Sequence, residues 1–170
     1  MDIYEAIEQR RSVRAFRQDP INDEILLKIL EAVRLAPSAH NSQEYKFIVV
    51  KDSDKKKELA KASNQSFISE APLVIVGVSL NPKHIMTSGV PAYAVDVAVA
   101  MDHLTLAASS EGLGTCWIGS FSQDEIRKIL SIPVQYKVVA LMPVGVPYDE
   151  PSVKSRKSLK DLICRENFSN

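Results

Sequence analysis

Only two cysteines occur among 170 residues, Cys116 and Cys164, too few for a disulfide framework or a zinc ligand set. Net charge is absent as well: twenty-one basic residues offset twenty-one acidic ones, which leaves no field to recruit nucleic acid or an anionic membrane. No apolar run reaches the roughly 18 residues of a membrane span. The nearest, 90–108, is interrupted by Asp96, Asp102 and His103. Residues 1–10 are charged and lack the apolar core of a signal peptide, so a cytoplasmic protein is expected. Acid–base machinery is also missing: His40 has no nucleophile to pair with and reads as a surface or capping residue.

What is present is globular. At 45% apolar and 25% charged the composition is average, and the length predicts one domain over 1–170. Asp2 is placed to cap a helix through Gln9, and Asn22 or Asp23 opens a second that Pro37 stops. Residues 45–50 and 73–78 read as strands, the second covered on both faces, with a lysine-rich helix over 55–62 between them. Residues 81–91 read as a loop. The stretch 92–111 is apolar almost all round and predicts a helix buried in the core or an interface, ended by Gly112 and Gly114. A short strand over 115–118, a helix opened by a Ser122/Glu125 capping box, and a strand over 137–144 follow. A helical turn is expected over 159–163. This order calls for a sheet covered by helices, α/β or α+β.

Four segments carry chemistry. In Arg10-Arg11-Ser12-Val13-Arg14, residues 10, 12 and 14 share a side if the chain is extended, and Arg10 and Arg14 share a face if it is helical. Either way two guanidiniums converge near a hydroxyl, as a phosphate requires, unless they only complement a helix end. Segment 36–43, Ala-Pro-Ser-Ala-His-Asn-Ser-Gln, is dense in small hydrogen-bonding groups that suit the polar edge of a heterocycle or a plain turn. Gly112-Leu113-Gly114 follows a helix and opens a strand, the reverse of a dinucleotide-binding turn. Gly119, further on, would let a flat ligand reach the backbone. Lys154-Ser155-Arg156 repeats cation, serine, cation in a polar tail.

Together, in this order and spacing, these segments resemble the nitroreductase family across nearly the whole chain. The resemblance implies an α+β three-layer sandwich, a mixed central β-sheet flanked by helices, in an intertwined homodimer joined through the 92–111 helix. It implies FMN as cofactor, NADH or NADPH as electron donor, and a nitroaromatic, quinone or similar small molecule as acceptor in a ping-pong cycle. By position, Arg10, Lys154 and Arg156 would hold the FMN phosphate, with Arg11 beside them and Ser12 at the ribityl chain. Arg14 would face the pyrimidine edge and stabilise reduced flavin. Pro37, Ser38 and Asn41 would come from the partner subunit, Asn64 or Gln65 would make a further pyrimidine contact, and the Ile118–Gly119 backbone would meet flavin N5.

The larger members of the family carry more helical material over the flavin than this chain has length for. The 81–91 loop and Tyr93 are the only candidates for a lid, and Tyr93 reads first as packing for a helix start. Two other readings stay open: a specialised member, such as a reductive dehalogenase or a peptide-modifying dehydrogenase, and a flavin-binding module without turnover.

Overall fold

Helix α1 (Ile3–Gln9) starts at Asp2, whose carboxylate accepts from Glu5 N while Glu5 returns a bond to the Asp2 amide. The computed structural model describes residues 1–149 and 151–169. Helix α2 (Asp23–Arg34) is capped by the Asn22 side chain and ends three residues before Pro37. Ala36, which precedes the proline, is disfavoured in the helical region, so the helix closes early. Strand β1 (Tyr45–Val50) leads to helix α3 (Ser53–Ala62), which Asp52 caps two residues earlier than the lysine run suggested. Strand β2 (Leu73–Ser79), helix α4 (Ala92–Ser110), strand β3 (Gly114–Thr115), helix α5 (Gln123–Ile129) and strand β4 (Lys137–Gly145) follow.

The strands lie in the order β1-β2-β4-β3, each neighbouring pair antiparallel. A parallel bridge between Ser12 and Thr115 adds the N-terminal segment to the β3 edge and makes the pairing mixed. Period-2 alternation divides the core in two. Val74, Val76 and Val78 face α3 and α5 through Leu59 and Ile126, whereas Leu73 and Ile75 face α2 and α4 through Ile29, Val97 and Met101. Helices therefore cover both faces, in three layers. Each such large side chain, fully buried, stabilises by about 1.5–3 kcal/mol.

Helix α4 meets the sheet at Gly77, where a methyl would lie 2.7 Å from Val97 Cγ1 and 2.9 Å from Met101 Sδ. Its opposite face is also apolar but uncovered: Val95 is exposed, and Val99 and Leu106 are half-buried. Three helices end in the same double hydrogen-bond closure with a left-handed residue just past the cap. Gly112 serves α4, Asn64 serves α3 and Ser131 serves α5. Gly114 has another role, since a methyl there would run into Val13. The 115–118 strand is shorter than expected: after Thr115 only Ile118 pairs again, with Leu141. The Ser122 hydroxyl accepts from Glu125 N at 3.4 Å. The tail carries a single short turn, Leu159–Asp161.

Candidate functional site

The 10–14 segment is extended. Arg10 leaves the helical region with ψ at 126°, Val13 N donates to Thr115 O at 2.9 Å, and the Val13 side chain is buried. Residues 10, 12 and 14 therefore point away from Val13, to one side. The Arg11 guanidinium donates to the carbonyls of Glu8 and Arg10, complementing the end of α1. Arg17 pairs with Asp19 at 2.8 Å. Arg10 and Arg14 are left with no ion pair or side-chain hydrogen bond among the described residues.

Next to them lies Cys116. Burial pushes its thiol up, against the opposing pull of the Arg14 charge, the Ser12 hydroxyl and the Arg10 charge. Arg10 and Ser12 also line a cleft of about 590 Å³ with Val99, Thr105, Thr115 and Trp117. Its floor is polar: the Thr105 and Thr115 hydroxyls are hydrogen-bonded and buried. Past Trp117, Ile118 spends both backbone groups on Leu141, donating at 2.9 Å and accepting at 3.0 Å. The next amide, that of exposed Gly119, has no acceptor among the described residues.

Other candidates sit elsewhere. The 37–43 loop contains a 3-10 turn, Ala39–Asn41, and holds His40, Asn41 and Gln43 at φ of 52°, 55° and 51°. Left-handed backbone at non-glycine residues costs about 1–2 kcal/mol each, least for asparagine, and persists only where surroundings enforce it. Here the Ser38 hydroxyl accepts from Gln43 N, and the buried Asp96 carboxylate accepts from Ala39 N, both at 3.0 Å. Pro37, Ser38 and Asn41 do not line the Arg10 cleft of their own chain. Asn64 closes α3, and with Gln65 it borders a separate depression beside Lys57 and Lys61. Lys154 and Arg156 are exposed, and neither lines the Arg10 cleft. Pro151, just before them, does border the hollow shared by Arg10 and Arg11.

The 81–91 loop folds into a small hairpin, with Met86 N on Val90 O at 2.9 Å and a turn at Gly89. Tyr93 lies under Lys137, whose Nζ is 5.7 Å from the ring centroid. Sequence reasoning passed over Trp117, Asp96, Asp102 and Thr105. For the three on α4 the signal was polarity in an apolar stretch, with Asp102 and Thr105 three residues apart on one face and Asp96 apart from them.

A sequence profile of the Nitroreductase family matches residues 7–72 and 60–146. The chain belongs to the nitroreductase family. Among relatives of this family, an NAD(P)H FMN reductase of Bacillus subtilis is 28% identical over 99% of this chain and 75% of its own length. The crystal structure of a nitroreductase family protein from Clostridium novyi NT is 40% identical, with a TM-score of 0.85 over 91% of this chain and 89% of that one. The Vibrio harveyi NADPH:FMN oxidoreductase, solved with NAD+, is 29% identical, with a TM-score of 0.89 over 99% of this chain and 78% of that one. No helix of the described residues is long and apolar enough to cross a membrane.

Proposed function

We propose that this nitroreductase is an FMN-dependent oxidoreductase that moves hydride from NAD(P)H to a nitroaromatic, quinone or similar acceptor in a ping-pong cycle. The observation that carries the proposal is the row of Arg10, Ser12 and Arg14 on one side of an extended strand, two of them guanidiniums without acidic partners. Such donors fit a phosphate and an electron-rich ring edge. An open amide at a residue without a side chain fits a flat heterocycle.

In this reading Arg10 holds the phosphate, joined by Lys154 and Arg156 of the tail, and Ser12 meets the ribityl chain. Arg11 braces the end of α1 beneath them. Arg14 stabilises negative charge at the pyrimidine edge, the Gly119 amide donates to N5, and Ile118 anchors that amide on β4. FMN, when bound, would supply the hydride-transfer chemistry. The protein's share is orientation and charge, which accounts for the lack of an acid–base pair.

The uncovered apolar face of α4 supports a homodimer, and the Arg10 cleft beside that face supports a cofactor site at the subunit contact. Pro37, Ser38 and Asn41, remote from their own cleft, then serve the partner's, while Asn64 or Gln65 gives a further ring contact.

The absorbance spectrum of the purified protein tests this directly. A flavin spectrum with FMN released near one per chain is expected, whereas a colourless protein that takes up no added FMN rejects it. Arg14→Ala is expected to weaken FMN binding roughly tenfold or more and to lower the flavin potential. An unchanged potential would remove Arg14 from that role.

A further inference from the structure

Asp96 is the single acid buried in the α4 core face, and it is less than one-tenth exposed. An ionised carboxylate taken from water needs donors in return. Its one hydrogen bond among the described residues is from Ala39 N, at 3.0 Å. The nearby Tyr45 hydroxyl is buried without a partner and does not bond to it. The acid is therefore aimed at the 37–43 loop.

That loop needs an external tie. Its remaining bonds are local: Asn41 N to Ser38 O, Ser42 N to Ala39 O, Gln43 N to the Ser38 hydroxyl, Gln43 Nε2 to Asn41 O, and Tyr45 N, at the start of β1, to Gln43 O. These bonds shape the loop and close its end onto β1, but none of them ties it to α4. Three left-handed residues in four positions make this shape one the chain would leave if released. Asp96 supplies the tie to α4, and two residues further along the same helix Ala98 and Val99 begin the wall of the Arg10 cleft. A single rigid helix thus carries both the loop's tether and the cleft's side.

We propose that Asp96 is a positioning residue: by accepting from the Ala39 amide it sets where Pro37, Ser38 and Asn41 stand relative to α4, and so their reach to the cofactor. This rests on the FMN reading given above.

The test compares Asp96→Ala with Asp96→Asn, whose amide oxygen still accepts from Ala39. Two readouts are taken: hydrogen exchange of the Ala39 amide in FMN-free protein, and FMN affinity by fluorescence titration. In Asp96→Ala the amide is expected to exchange at least ~10-fold faster and FMN to bind ~10-fold more weakly, while Asp96→Asn stays within ~3-fold of the parent in both. Unchanged FMN affinity in Asp96→Ala overturns the proposal, as does unchanged Ala39 exchange. Equal losses in both variants overturn it too, because they would trace to charge or folding rather than to the accepted bond. If the parent protein binds no FMN, the functional reading itself fails and this inference with it. Failure of the variants alone, with the parent binding normally, removes only Asp96.

Discussion

Cys116 and Cys164 carry the same group in opposite surroundings. Burial holds the Cys116 thiol above its ordinary range, whereas bonds from the Ser169 amide and hydroxyl hold exposed Cys164 below it. Thiolate is the reactive form, and an unperturbed thiol titrates near ~8.5. Iodoacetamide is thus expected to label Cys164 with a pH midpoint below that value and to spare Cys116 until the protein unfolds. Mass spectrometry of the labelled peptides reads this, and equal labelling of both in the native state contradicts it. At this scale identities often answer local needs: Arg11 satisfies carbonyls at the end of α1, and Asn64 takes a left-handed position after α3. Both also stand among the residues proposed to surround the cofactor, because a cap and a binding group draw on the same residue types.

Helix ends and helix–sheet contacts make element-scale predictions. Ser131 stands left-handed after α5, its amide on Lys128 O and the Ile132 amide on Arg127 O. Ser131→Gly is expected to stabilise by about 0.5–1 kcal/mol, since glycine takes that conformation without strain. A lower urea midpoint would contradict it. Gly77→Ala is expected to cost about 1–3 kcal/mol, because its methyl meets Val97 and Met101 in a packed layer. An unchanged urea midpoint would mean that α4 moves away freely. Most element positions were legible in the pattern, as in β1 and β2, where β-branched runs are bounded by turn residues. The state of 10–14 was not. Whether it continues α1 or extends is decided by Thr115, about a hundred residues away, through the Val13 amide.

At the scale of the whole molecule, the proposed homodimer is what can be tested. Helix α4 buries one apolar face against the sheet and leaves Val95 exposed, with Leu106 half-buried on the same outer side. Light scattering is expected to give about twice the 18.8 kDa chain mass at micromolar concentration. Val95→Glu, which places a charge on that face outside the Arg10 cleft, is expected to shift the protein toward monomer and to release FMN with it. A monomeric parent that retains FMN would place the cofactor within one chain instead.

The sequence by itself determined the alternation of strands and helices, the all-round apolarity of α4, and the set of cations, hydroxyls and glycines available for a site. Those properties are local and show in spacing. Only the tertiary structure decided which cations are free, since Arg11 is tied to carbonyls while Arg10 and Arg14 have no ion pair or side-chain hydrogen bond among the described residues. It alone revealed the strained 37–43 loop and its tie to Asp96, because His40 and Gln43 carry no mark of left-handed backbone and the tie spans 57 residues of sequence. Contacts so distant in sequence form through the packing of the sheet and α4, and spacing along the chain holds no trace of them.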